Sequence, residues 1–339
     1  MQLSGFIGVG ENIHCTRIHK VGGKYVKESP DGTHAIHYES EGRPRQLRIP
    51  DSFVGTADWE AGKVKHCAVA MHQGLHGDDA GKAAGIDYLQ SLAKAQAAAG
   101  ATYLDVNVDE YSTDVSERVA LVEWVVPLVQ KSVEVPLSID SSNTDILKAG
   151  IAACDPARGR PMLNSVSLER LDAIEVATQA KAVVIASAAG ETGLPNTVEE
   201  RLANLDPLVQ RLTDAGLALG DIHIDPLVFP ISVDGNNGKS FLAAVSAIRE
   251  RYGAEIHIVA GLSNVSFGMP NRKLINQTFS YLAVEAGADG GIVDPLQVNV
   301  ETLNSLDTDS EPFRIAKALL LGEDSFGMNY ITAAREGRI

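Results

Sequence analysis

Six short apolar runs of this chain carry, or end in, an acid or an amide. Glu11 and Asn12 follow FIGVG, Asp105 and Asn107 lie within TYLDVNV, and Asp140 with Ser141 and Ser142 closes VPLSID. Asn164 and Ser165 lie in PMLNSVS, Asp225 in DIHIDPL, and Ser263 and Asn264 follow EIHIVAG. A single Asp in such a place is commonly a helix cap; recurrence at six run ends argues for a shared task. Together the residues offer acceptors and amides but almost no cations, which suits a neutral, flat heterocycle edged with N–H and C=O groups. A phosphorylated sugar would need Lys, Arg or a backbone anion nest. No Ser/His pairing and no pair of His at ligand spacing accompanies the set, so nucleophilic hydrolysis and metal catalysis are poorly supported and no metal ligand is assigned.

These side chains need a scaffold that brings many run ends to one place. Eight β-branched or apolar runs recur, at 6–10, 102–108, 135–140, 161–167, 182–187, 221–227, 255–261 and 289–294, with amphipathic stretches between them. Eight alternations of strand and helix predict a parallel sheet closed into a (β/α)8 barrel, whose reactive groups come from the C-terminal strand ends. Gly8-Val9-Gly10 does not complete G-x-G-x-x-G, which weakens the open-sheet alternative. Thr197 to Glu200 reads as a capping box and Ser142 to Asp145 as a weaker one; Gly150, Gly216 and Gly287 sit where helix C-termini need a left-handed residue; Pro127 should kink or shorten its helix. Gly261 and Gly268 bracket the turn that presents Ser263 and Asn264. Residues 16–81, polar and rich in Gly, Pro and His, stand outside the alternation and precede a long helix expected over 87–100. The whole chain, 1–339, reads as a single barrel domain with this insertion near its C-terminal face.

The remaining composition narrows the setting. A content of 45% hydrophobic residues in 339 supports a full core. A net charge of -15 would repel a phosphate backbone, so nucleic acid is not an expected partner. There is neither an apolar run of roughly eighteen residues nor a signal-peptide pattern at MQLSGFIGVGENIH, so no membrane partner and a cytoplasmic location are expected. Cys15, Cys67 and Cys154 read as small buried thiols. His14, 19, 34, 37, 66, 72 and 76 fall at irregular spacings that do not spell a metal site.

GEN (10–12), AGATYLDVNVDE (99–110), PLSIDSSNTDILKAG (136–150), PMLNSVSLE (161–169), DIHIDPLVFP (221–230) and GLSNVSFGMPNRKLINQTF (261–279) run in the order found in another group of proteins. Through them the chain resembles the pterin-binding methyltransferases: the methyltetrahydrofolate:corrinoid protein methyltransferases and the folate domain of cobalamin-dependent methionine synthase. The resemblance covers nearly the whole chain apart from the insertion. It implies that Asp140, Asn164 and Asp225 hold the pterin by its hydrogen-bonding edge. It also implies that Asp105 and Asn107 line the same mouth, that Asn264 hydrogen-bonds near N5, and that Arg272 lies at the folate site. Glu11, Ser263 and Phe267 complete the expected binding set, with Asn264 as the catalytic residue. Two departures stand out: GENIH replaces the family's GERxN, so Asn12 and His14 stand in place of an arginine and an asparagine, and Phe267 matches methionine synthase rather than the glutamine of some relatives.

The implied reaction moves a methyl group between a corrinoid and N5 of tetrahydrofolate, with tetrahydrofolate or 5-methyltetrahydrofolate as substrate, and the expected setting is a corrinoid-dependent demethylation system. The chain has no D-x-H-x-x-G segment, so the corrinoid (cobalamin) is expected on a partner protein acting in trans. A homodimer is a further expectation from the resemblance alone. The alternatives are a dihydropteroate synthase-like enzyme, although its S-x-R-P-G-type loop and late R-x-H pair are missing, and a tetrahydrofolate-dependent demethylase acting directly on a small methylated substrate.

Overall fold

In the computed structural model, which describes residues 2–339, the eight expected runs form parallel strands. They are β1 (Ile7–His14), β2 (Tyr103–Asn107), β3 (Leu137–Asp140), β4 (Met162–Val166), β5 (Val183–Ser187), β6 (Ile222–Asp225), β7 (His257–Ala260) and β8 (Gly290–Val293). They close into a barrel in sequence order, with helices between successive strands, which is the (β/α)8 architecture. The described residues divide into two compact units, one of residues 2–10, 99–103 and 162–339, the other of residues 11–98 and 104–161.

In the first unit Val9, Met162, Val183, Ile185, Val259 and Ile292 pack into one apolar cluster, each contributed by a strand. Closure of β8 on β1 needs glycine: a Cβ on Gly290 would collide with the Ile7 carbonyl oxygen, and the strands are paired there in parallel register, Ile7 with Gly290. The capping box at Thr197 and Glu200 forms as expected, and Gly216 and Gly287 both adopt positive φ, at 94° and 114°.

In the second unit β2 and β3 pair from Leu104 with Leu137 to Asn107 with Asp140. Strand alternation sends Leu104 and Val106 to one face and Asp105 and Asn107 to the other. Strand β1 runs on through GENIH instead of stopping at residue 10, because its backbone keeps pairing: Cys15 N–H donates to Asn107 O at 2.9 Å, and Ile13 is fully buried. Gly150 does not end a helix. It lies inside Thr144–Ala153, where a Cβ would come within 2.6 Å of Ile139 Cγ2, so its smallness serves helix-to-strand packing. Asn143, rather than Ser142, caps that helix, accepting from the N–H groups of Asp145 and Ile146. Pro127 is accommodated within Val115–Gln130.

Residues 16–65 of this unit hold a three-stranded antiparallel sheet (Val26–Glu28, His34–Ser40, Arg43–Arg48) and a short pair, Ile18–Lys20 with Lys63–Lys65. Helices follow at His66–His76 and Asp79–Ala98, so the long helix starts eight residues before its expected beginning at 87. Its glycines hid that turn: a Cβ on Gly85 would strike the Ala70 carbonyl oxygen, so Gly85 marks close helix packing, and Asp78 Oδ1 accepts the Gly81 N–H at 2.8 Å to start the helix. The Asp87 carboxylate accepts from Tyr38 Oη at 2.7 Å and Ser40 Oγ at 2.8 Å, tying the small sheet to that helix.

Candidate active site

The second unit gathers one imidazole, two carboxylates and an amide from three strands. His14 at the end of β1 lies 2.8 Å, through Nε2, from Asp105 Oδ2 on β2. Asn107 Nδ2 donates to Asp140 Oδ2 at 2.8 Å across the β2–β3 pair, and its own Oδ1 accepts the Asp109 N–H at 3.0 Å. Donor atoms of His14, Asp105 and Asp140 lie within 4.8 Å of one another. Burial and the Asp105 charge push Asp140 up to about 7, against the opposing effect of His14 and the Asn107 hydrogen bond. Burial disfavours the imidazolium of His14, but the Asp105 hydrogen bond and the charges of Asp105 and Asp140 outweigh it, and the net shift is upward. Glu11, also buried, is ion-paired with Arg17, whose Nε donates to the Glu11 carbonyl at 3.1 Å.

The first unit carries a second set. Asp225, at the end of β6, accepts the N–H groups of Leu227, at 2.8 Å, and Gly261. Burial raises its pKa to about 6, partly offset by those two N–H groups and by Arg201. After β7 the chain makes a helical turn, Leu262–Ser266, that leaves Asn264 exposed and buries Ser263 and Ser266. Gly261 has an ordinary φ of -67°; its value is space, since a Cβ there would lie 2.9 Å from Asn264 Nδ2. Gly268, by contrast, has φ of 82°. Arg272 reaches back beneath the turn, donating from Nε to Ser266 Oγ and from an Nη to the Ser263 carbonyl, both at 2.9 Å. Phe267 is 66% exposed, with its carbonyl held by Ser232 Oγ at 2.6 Å. Asn164 is buried on β4, and its peptide bond to Ser165 is cis.

Three contributors were not singled out from sequence. His14 counted only as a departure from a motif, because β1 was expected to end before it. Asp109 accepts from Ser141 Oγ at 2.5 Å, Ser142 N–H at 2.7 Å and Ser142 Oγ at 2.9 Å, and so shapes the chain after β3. Its place two residues beyond Asn107 was the available signal. Arg201, fully buried, donates through Nε to the Pro226 carbonyl at 2.7 Å and so fixes the backbone next to Asp225; nothing in its helix pattern marks that role.

Known proteins resemble this chain in sequence and in fold. The chain is 35% identical over 257 residues, covering 74% of it and 89% of the relative, to the methylcorrinoid:tetrahydrofolate methyltransferase of Eubacterium limosum. Among solved structures, dihydropteroate synthase of Xanthomonas albilineans with 4-aminobenzoic acid matches with a TM-score of 0.52 at 20% identity, over 71% of this chain and 88% of that one. Dihydropteroate synthase of Yersinia pestis in a sulfonamide drug complex matches with a TM-score of 0.52 at 19% identity, over 84% and 98%. At such identities these structures speak for the barrel alone. Residues 78–294 match the family described as pterin-binding enzymes, and the chain belongs to that family.

Proposed function

We propose that the protein is a methyltransferase that moves a methyl group between a corrinoid carried by a partner protein and N5 of tetrahydrofolate. The observation that carries this reading is Asn264, an exposed carboxamide after β7 whose turn is held from below by Arg272 through Ser263 and Ser266. The relationship to a methylcorrinoid:tetrahydrofolate methyltransferase supports transfer from the corrinoid to the folate. In that direction N5 attacks the methyl carbon, the cobalt–carbon electron pair stays with the cobalt of the substrate corrinoid, and N5 then loses its proton. A carboxamide can accept from N5–H and donate to neutral N5, so Asn264 serves both sides of the transfer without titrating.

In this reading Asp140, Asn164 and Asp225 take the N–H edge of the pterin, Asp105 and Asn107 support Asp140, and Ser263, Phe267 and Arg272 order the turn that bears Asn264. Glu11, paired with Arg17, fixes the β1 backbone leading to His14. Two further observations bear on the setting. No helix among the described residues is long and apolar enough to cross a membrane, and Cys15, Cys67 and Cys154 are free thiols.

The test mixes the purified protein with tetrahydrofolate and a methylated corrinoid protein and follows formation of 5-methyltetrahydrofolate in one turnover. Its appearance, dependent on the corrinoid protein, supports the reading. Methyl transfer from a small methylated compound with no corrinoid present would replace it with a direct demethylase.

A further inference from the structure

We propose that His14 is a positioning residue: held by Asp105, its imidazolium keeps the neighbouring Asp140 carboxylate free of a proton and ready to accept the N–H edge of a pterin. The proposal rests on the folate reading above and adds a residue to it. Its basis is the geometry of three strands. Asp105 on β2 is wholly buried, and Asp140 on β3 lies close enough that the two carboxylates and the imidazole sit within 4.8 Å. Two carboxylates at that separation, Asp105 wholly buried and Asp140 half-buried, do not both ionise readily without a cation beside them. A protonated Asp140 would present an O–H toward a donor edge that needs an acceptor.

The charged groups around this cluster leave that task to His14. From β1 come His14 itself, Glu11 and, just beyond the strand, Arg17, which is committed to Glu11 through its guanidinium and to the Glu11 carbonyl through Nε. From β2 and its extension come Asp105 and Asp109, and from β3 Asp140; Asp109 is occupied by Ser141, Ser142 and, at 3.8 Å, Arg118. Asn107 contributes a neutral donor to Asp140. Among these groups His14, cationic when protonated, contacts the carboxylate pair directly, 2.8 Å from Asp105. The upward shift at His14, driven by Asp105 and Asp140 against burial, agrees with an imidazolium beside the two carboxylates.

The experiment measures tetrahydrofolate binding by anaerobic calorimetry for wild type and His14→Gln between about pH 5.5 and 9. Wild-type affinity should hold down to about pH 7 and then fall roughly tenfold per pH unit. His14→Gln should bind like wild type near pH 9, about tenfold more weakly at pH 7, with its midpoint moved up by about one unit. An equal loss at every pH, or a profile superposed on wild type, overturns the proposal, since a merely structural role would not move the midpoint. A second readout needs no folate: the ¹⁵N imidazole shifts of His14 in the ligand-free protein. A charged ring at neutral pH that becomes neutral in Asp105→Asn supports the pairing; a neutral ring in wild type overturns it whether or not folate binds. A charged ring in a protein that binds no tetrahydrofolate at any pH overturns the folate reading and the pterin part of this proposal together.

Discussion

The carboxamide of Asn264 sits against the α-carbon of Gly261, where an added Cβ would lie 2.9 Å from Nδ2. The glycine is thus a seat for the side chain assigned to N5, and the two positions make a graded pair of tests. Asn264→Ala removes one transition-state hydrogen bond and should slow single-turnover methyl transfer about 10²–10³-fold, with folate affinity within a few fold. Gly261→Ala keeps the amide but displaces it, and a shift approaching 1 Å should cost up to roughly 10²-fold. Stopped-flow rates equal to wild type in both variants would remove Asn264 from the reaction.

Asp225 is held differently from Asp140, and the two should respond differently to replacement. Backbone N–H groups of Leu227 and Gly261 fix Asp225, with its pKa raised by burial to about 6. Asp225→Asn leaves one of those N–H groups facing an amide N–H₂ or forces the side chain to flip, so it should weaken folate binding and disturb the Asn264 turn as well. Asp140→Asn should weaken binding alone. Calorimetry combined with single-turnover rates separates these outcomes: a rate defect at saturating folate is expected for Asp225→Asn only. Unchanged affinity in both would show that neither carboxylate holds the ring.

The same two carboxylates make the stability of the ligand-free protein depend on pH. Their folded values, about 7 and about 6, lie above the ordinary carboxylate range. Each therefore contributes stability that is fully present at low pH and is lost as pH rises through the folded value. Thermal unfolding should give a higher Tm for wild type at about pH 6.5 than at about pH 8. Asp140→Asn and Asp225→Asn should remove much of that slope and raise Tm at the alkaline end. Below the ordinary histidine value the trend is opposed by His66 and His223, whose burial lowers their pKa, so the informative window is the alkaline one. An identical slope in all three proteins would place the carboxylates in water.

The barrel was legible because each of its eight strands is a compact apolar run with helical stretches between one run and the next. What failed was local. GENIH looked like the end of a strand because Glu11 and Asn12 are polar, yet main-chain pairing with β2 carries the strand to His14 and brings that ring to Asp105. Glycine was misread twice for one reason. At Gly150 and Gly261 it makes room for a neighbouring side chain, Ile139 in one case and Asn264 in the other, and sequence alone does not distinguish that need from a need for left-handed geometry. Arg201 and Arg272 act through backbone carbonyls, and such partners leave no pattern in the chain.

Closure of the barrel offers the last test, because β8 contributes two adjacent glycines with different neighbours. A Cβ at Gly290 would meet the Ile7 carbonyl oxygen and carbon, backbone atoms fixed by the β1–β8 pairing, so the strands must part to admit it. A Cβ at Gly291 would meet Cδ1 and Cγ of Leu262, side-chain atoms that can shift by rotation about their torsions where backbone atoms cannot. Overpacking against an unyielding wall costs about 1–3 kcal/mol and occasionally more. Gly290→Ala should therefore lie at or above that range in urea unfolding, and Gly291→Ala below it. The second variant carries a separate cost, because Leu262 belongs to the turn that bears Asn264; its methyl transfer should slow even where its stability is close to wild type. If Gly291→Ala proves the more destabilising of the two, closure is governed by packing under the Asn264 turn rather than by the contact between the first and last strands.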